Sequence, residues 1–435
     1  MGPLTPQAGA ARISRFRAVA WFGPPAVFLA LVAAHAPLLR LPYYWDEAGY
    51  FIFAALDCFR HGWLIPRSTL ANGHPPLLSL YLAGAWHVFG FHPAVTRCTM
   101  LVWAAALICG VYALARTRFP ARVATLAAAL VALAPLVFAQ SSLALLDLPV
   151  AALVVWALVF LARQRSGLMA AALTAACLTK ETAVIVPLAL LLAERRHWRA
   201  LLAPIVVLGL WFVYYHHATG FWFGNPQYFA YNVGTVALSP PRIALSLLRR
   251  LWQLAGYNGT WLLTVLALLG ARRRSTVRMP RSWLAVLAAY LLFHAVVGGA
   301  VLARYLLPAL VLYLIWVAGA IIRLPRPALV FGLCAAFLVA NWFWLPPYPF
   351  PYEDNLAYAQ FVRLHQAAAR ALEAAPPPAP VLTAWPATNE LSKPELGYVR
   401  SPLPVAAVED FSAASLARVS NRPAALYMFS RTYQP

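Results

Sequence analysis

Tyr43-Tyr44-Trp45-Asp46-Glu47-Ala48-Gly49-Tyr50 sets two adjacent carboxylates directly after the first long apolar run of the chain, residues 18–40. Carboxylates at a bilayer edge are costly to strip of water, so they usually meet solvent, a cation or a substrate. If the chain turns helical here, Asp46 and Tyr50 stand four residues apart on one face. The plainer alternative is a helix cap, with Asp46 opening the amphipathic run 47–60. Where the other charges fall decides between the two.

The chain has 435 residues, is 62% hydrophobic and has a mean hydropathy of +0.69. Soluble domains carry about 45–50% apolar residues, so the composition reads as a polytopic membrane protein. Residues 1–345 hold 27 Lys and Arg against 6 acids, whereas residues 346–435 hold 7 against 7. The basic excess therefore belongs to membrane loops, where it orients the spans, and argues no nucleic-acid binding. Only 2 of the basic residues are Lys. That Arg bias in an Ala-rich chain suggests a GC-rich bacterial genome and hence the bacterial plasma membrane. Cys58, Cys98, Cys109, Cys177 and Cys334 have no metal-ligand spacing and read as small core residues. Arg12, Arg15 and Arg17 ahead of the first apolar run mimic a signal peptide. That run exceeds the usual ~7–15 residues of such a segment, so it is read as a span.

Spans are expected near 18–40, 94–115, 122–140, 148–163, 166–179, 182–194, 199–216, 256–271, 283–301, 305–322 and 328–345. With a cytoplasmic N-terminus, these eleven crossings put 18 of the 27 basic residues before 346 into cytoplasmic loops, as the positive-inside bias requires. Counting the apolar piece 75–90 as a twelfth crossing would throw nearly all later arginine clusters outside. It is also shorter than the ~20 residues a span needs. Residues 46–90, within an outer loop 41–93, are therefore read as interfacial or re-entrant helices. The expected fold is an all-α polytopic membrane protein of about eleven transmembrane helices, residues 1–345. A small extracytoplasmic α/β domain, residues 346–435, follows the stiff Pro-rich linker 345–351. Its small size predicts that it docks on the membrane part. Ser392-Lys393-Pro394-Glu395 within it reads as a solvated loop.

The same parity carries Asp46, Glu47, Asp147, Lys180 and Arg304 to one side of the membrane. Lys180 lies between two short apolar segments, so its turn is expected to be recessed into the bilayer. A second outer loop, 217–255, is rich in aromatics such as Phe221, Trp222, Phe223, Tyr228, Phe229 and Tyr231. A headgroup belt explains most of these; some could line a lipid-tail groove or stack on a sugar. A site of mixed sign at a water–lipid boundary suits glycosyl transfer from a lipid phosphate. The carboxylate deprotonates the acceptor, and cations neutralise the departing phosphate, whose second pKa of about 6 removes the need for a general acid. The plainer readings are an ion pair of Lys180 with Asp147 or Glu181, a snorkelling anchor for Arg304, and a polar loop residue for His74.

Asp46-Glu47 followed by Tyr50, then His74-Pro75-Pro76-Leu77, Leu145-Leu146-Asp147, Leu178-Thr179-Lys180 and Arg304-Tyr305-Leu306-Leu307-Pro308 together resemble a known ordered set. It is that of the protein O-mannosyltransferase and aminoarabinose-transferase superfamily, integral membrane glycosyltransferases of GT-C fold that use polyprenyl-phosphate sugars. The resemblance covers roughly residues 18–325. It implies Asp46 as catalytic base, Asp147 as a partner carboxylate, and Lys180 and Arg304 as contacts for donor phosphate. Glu47, Tyr50 and His74 are the remaining candidates for substrate binding. Two departures stand out. His74 precedes the Pro-Pro pair where the aminoarabinose branch often has Lys, so phosphate contact there depends on protonation. Ser141-Ser142 stands where many relatives carry Arg. No multi-acid metal site is visible and no cofactor is expected, although Asp46 and Glu47 together offer two carboxylates to one divalent cation.

The sequence thus predicts an inverting transferase that moves a sugar from a polyprenyl-phosphate donor to an extracytoplasmic lipid, glycan or protein acceptor. The competing class is a transporter or lipid flippase without transferase activity. That class favours internal repeats and mid-membrane acids, and neither is evident.

Overall fold

Helices that are apolar all round are buried in a bundle rather than laid on its surface, and most helices of this chain have that character. The structure is a computed structural model that describes residues 23–229, 238–272, 278–408, 417 and 426–428. Expectations for Arg12, Arg15, Arg17, Tyr231 and the Tyr228 side chain fall outside the described residues.

The chain opens with α1, Gly23–His35. A π-helical turn, Glu47–Phe51, then runs into α2, Ile52–His61, which stops at Gly62 in the left-handed conformation that favours glycine. α3 spans Leu77–Phe89, and α4 spans Pro93–Arg116 with proline in its first turn. The expected span 122–140 is two helices, α5 (Ala121–Leu133) and α6 (Pro135–Gln140). Pro135 lacks the amide needed to continue the first helix, so the chain breaks there. α7 (Asp147–Ala162) and α8 (Ser166–Thr179) follow, then a 3₁₀ turn, Glu181–Val184, leading into α9 (Ile185–Ala193). α10 covers Trp198–Thr219 and α11 Pro226–Phe229. α12 (Pro240–Ala255) is amphipathic and meets α13 (Thr260–Arg272) at 80°, as an interfacial helix entering a span would. α14 (Arg281–Val297), α15 (Leu307–Ile321) and α16 (Pro327–Asn341) complete the bundle.

Each of the eleven expected spans holds an apolar helix. Only Pro93–Arg116, Arg195–Thr219 and Ala303–Ile321 among the described helices have the length and composition to cross a bilayer unbroken. The others are short or interrupted, and the interruptions are where the charged residues lie. α7 and α15 are buried almost throughout and form the centre of the bundle.

Beyond the bundle, α17 (Ala357–Ala374) buries Tyr358, Phe361, Val362, His365 and Ala369 along one face. Strands β1 (Val381–Ala384), β2 (Val405–Val408) and β3 (Leu426–Met428) form a parallel sheet in the order β2-β1-β3. A short helix, α18 (Ala387–Ser392), follows β1. This unit is seated on the opening stretch of the chain. The Tyr43 amide donates to Leu396 O at 3.2 Å and the Tyr398 hydroxyl to Tyr43 O at 2.9 Å. The Tyr44 ring meets Phe361 edge-on at 5.4 Å. In Ser392-Lys393-Pro394-Glu395, expected as a solvated loop, Lys393 is exposed and Glu395 pairs at the surface with Arg60 of α2 at 3.3 Å.

Candidate active site

The charged candidates all stand at helix ends, where backbone polar groups are free and side chains can leave the bundle axis. Asp46 precedes the π-helical turn, and Trp45 before it holds a positive φ of 41°. Both features are costly locally and tend to accompany functional sites. Asp147 is the first residue of α7, and Lys180 lies in an extended kink between α8 and the 3₁₀ turn. Arg304 lies in the 3₁₀ turn Ala303–Leu306 that opens α15.

These ends meet around one guanidinium. Arg304 Nη2 donates to Asp46 Oδ2 at 2.5 Å, Nε lies 3.2 Å from Asp147 Oδ2, and Nη1 lies 2.6 Å from Glu353 Oε1. Each nitrogen thus faces a different carboxylate. Lys180 Nζ donates to the other oxygen of Asp147 at 2.7 Å and sits 3.9 Å above the Tyr305 ring. The neighbouring Glu181 lies 2.7 Å from His74 Nδ1. Residues 74, 181, 180, 147, 304 and 46 therefore form an almost continuous charged chain. Arg304 is 5% exposed at its side chain, Asp46 23% and Glu181 28%, so the network is buried at its centre and open at Asp46 and Glu181. A snorkelling anchor would show the reverse burial, and that alternative for Arg304 is set aside. The plainer reading of Lys180, an ion pair with Asp147 or Glu181, is met by Asp147.

Tyr50 lies beside this network, its ring 5.6 Å from Trp385 of the C-terminal unit. Tyr50 and His74 both line a small cleft, with Phe51, Pro75 and Leu146 among its walls.

Glu47 is placed differently from the expectation. It is fully buried; Oε1 accepts from Arg97 Nη1 and the Ala144 amide, both at 2.6 Å, and Oε2 accepts from the Tyr44 amide at 2.8 Å. Both oxygens are spent on structure, so Glu47 neither faces a substrate nor shares a cation with Asp46. Its role is to tie α4 and the 141–146 turn beneath the opening stretch. Arg97, its partner, also donates to Ser142 O at 2.9 Å and Pro42 O at 3.0 Å. Among the described residues no group of three or more His, Cys, Asp and Glu side chains is arranged to hold a metal.

Two participants escaped the sequence reading. Arg97 was hidden inside an apolar helix. Glu353 belongs to the near-neutral tail, although Glu353-Asp354 repeats the adjacent-acid pattern of Asp46-Glu47 next to a span. Burial and the neighbouring carboxylates Asp46 and Asp354 push the Glu353 carboxyl above its ordinary range, against the opposing pull of Arg304.

Known proteins share this architecture. Residues 73–220 match the family described as dolichyl-phosphate-mannose-protein mannosyltransferase. The crystal structure of ArnT from Cupriavidus metallidurans in the apo state aligns with a TM-score of 0.60 at 16% identity, covering 96% of this chain and 90% of that one. The same protein bound to undecaprenyl phosphate aligns with a TM-score of 0.61 at 16% identity, covering 95% and 90%. No curated protein matches the chain. The chain thus shares the GT-C fold of ArnT, and its residues 73–220 are similar to the mannosyltransferase family.

Proposed function

We propose that this protein is an inverting glycosyltransferase of the bacterial plasma membrane, moving a sugar from a polyprenyl phosphate to an extracytoplasmic acceptor. The observation that carries the reading is the Arg304 guanidinium, which gathers Asp46 and, through Asp147, Lys180 from segments far apart in sequence. A phosphate entering beside Lys180 and Arg304 competes with Asp46 for Nη2. Taking Arg304 from Asp46 leaves its carboxylate free to meet the acceptor hydroxyl when the donor is in place. Asp46 then accepts the acceptor's proton, the acceptor oxygen bonds to the anomeric carbon, and the bond from that carbon to phosphate oxygen breaks with inversion. The polyprenyl phosphate leaves with its electron pair, neutralised by Lys180 and Arg304. Asp147 keeps the two cations together and takes no proton. Tyr50, His74 and the cleft they line are assigned to substrate binding. Removing the base of such a reaction costs about 10²–10⁴ in rate. The test is transfer of labelled sugar from a panel of polyprenyl phosphates by purified wild type and Asp46→Asn. Near-normal turnover by Asp46→Asn removes Asp46 from the base role.

A further inference from the structure

We infer that Glu353 is a positioning residue of this site, holding Arg304 in the plane that receives donor phosphate once Asp46 has been displaced. The inference rests on the transferase reading and assigns the C-terminal segment a part in it.

The argument starts from the number of partners. Arg304 has an acid at each of its three nitrogens. If phosphate takes Nη2 from Asp46, two carboxylates remain to fix the guanidinium. Asp147 is shared with Lys180, whereas Glu353 Oε1 lies 2.6 Å from Arg304 Nη1. Close charge contacts at both Nε and Nη1 restrict the planar guanidinium and bias the direction in which its remaining edge points.

Glu353 is itself held rigidly. Its carbonyl accepts from Gln140 Nε2 at 3.1 Å, and the carbonyl of Asp354 accepts from Asn258 Nδ2 at 2.6 Å. Tyr257 donates to the Asp354 carboxylate at 2.7 Å, and Asn355 Nδ2 donates to Trp344 O at 2.7 Å. The segment after the last membrane helix is thus pinned to α6, to the bend before α13 and to the end of α16. A solvated linker needs no such fastening; a residue that must hold another group in place does.

The charges facing Glu353 are Arg304, Asp46, Asp147 and Asp354; the buried Tyr44 phenol also feels its charge. Burial raises the Glu353 carboxyl to about 8. At neutral pH the side chain therefore holds Arg304 without adding a third negative charge beside the incoming phosphate. Above that value the charge appears, and donor binding should weaken.

The experiment is equilibrium binding of undecaprenyl phosphate to the purified full-length protein in detergent from pH 6.5 to 9. Wild type, Glu353→Gln, Glu353→Ala and Asp354→Asn are compared. Wild type is expected to lose about tenfold in affinity between pH 7 and 9, since one ionisation worth ~1.4 kcal/mol changes binding tenfold. Glu353→Gln keeps an oxygen for Nη1 without the charge. It should bind like wild type at pH 7 and lose the alkaline decline. Glu353→Ala should bind about tenfold or more weakly throughout, and Asp354→Asn should keep the wild-type decline. Coincident pH curves for wild type and Glu353→Gln, or wild-type affinity in Glu353→Ala, overturn the inference. Failure of wild type itself to bind undecaprenyl phosphate refutes the transferase reading, and this inference with it.

Discussion

Asp147→Asn tests whether the network is one electrostatic unit. Asp147 is buried, and its two oxygens face Lys180 and Arg304 at 2.7 and 3.2 Å. Neutralising it leaves the Lys180 ammonium with the Tyr305 ring as its remaining described contact, a weak substitute for a carboxylate. Removing one partner of a buried pair costs about 3–5 kcal/mol. Unfolding entropy of ~2.1 cal/mol/K per residue gives ~0.9 kcal/mol/K for a chain this long, so the variant should melt about 3–6 °C below wild type. Lys180→Met alone costs less, because Asp147 keeps Arg304. The double variant loses a matched pair and should lie at least ~2 kcal/mol above the sum of the two single effects. Tryptophan fluorescence during thermal unfolding in detergent reads all four proteins, and sugar transfer by the same samples reads function. The double variant should regain stability while remaining inactive, since the phosphate has lost Lys180. Additivity within ~0.5 kcal/mol would show that Lys180 and Asp147 do not depend on each other, and would refute the coupled network.

Glu47→Gln should act on stability rather than turnover: the buried Arg97 loses its counter-charge at a cost of ~3 kcal/mol, and the folded fraction should keep its rate. A fall in rate without a fall in melting temperature would return Glu47 to the site. Gly49→Ala would drive a methyl carbon into the Trp385 ring, forcing the C-terminal unit off the π-helical turn. About a tenfold loss of transfer, partly restored by adding Trp385→Ala, is expected; an unaffected Gly49→Ala would show that this seam does not set the geometry of Asp46. Burial lifts Asp354 from 3.8 to about 7. Its contribution to stability is therefore full below the unfolded value and lost as pH rises through the folded one. Melting temperature should decline from pH 5 to 8, less steeply in Asp354→Asn, and identical slopes would contradict this. Because Arg304 and Lys180 supply the positive charge at the phosphate, EDTA should leave transfer within about twofold, and loss of activity restored by a divalent ion would reassign that task.

The parts of the site that were legible in the sequence were so for one physical reason. In an apolar chain a charge is expensive, so Asp46, Asp147, Lys180 and Arg304 stood out against their surroundings, and the helix ends that carry them could be placed from the arginine pattern. The same reasoning failed where the background changed. Arg97 lies within a span, and its counter-charge Glu47 is 50 residues away; nothing local announces such a pair. Asp46 and Glu47 look equivalent on paper, yet the tight turn that follows Trp45 sends one carboxylate to Arg304 and the other to Arg97. Adjacent residues on a turn point in different directions, and only the packing of α4 beneath them fixes which carboxylate is buried. Glu353 was lost against a tail with balanced charge, where an acid carries little information.

That last omission changes the meaning of the two-part organisation. The tail was expected to dock because it is too small to be stable alone. In the structure the docking surface is the opening stretch 43–50 itself, with Trp385 against Gly49 and Tyr50 and with Asn389 donating to Ala48 O at 3.3 Å. Asp46 is therefore held from the membrane side through its neighbour Glu47 and from the other side through the tail. Arg304, its partner, is held by Asp147 from the bundle and by Glu353 from the segment that leads into the tail. Both members of the central ion pair are thus set by contacts from both parts of the chain. Cutting the chain at residue 345 should consequently leave a helical bundle that keeps Asp46, Asp147, Lys180 and Arg304 but no longer aims them.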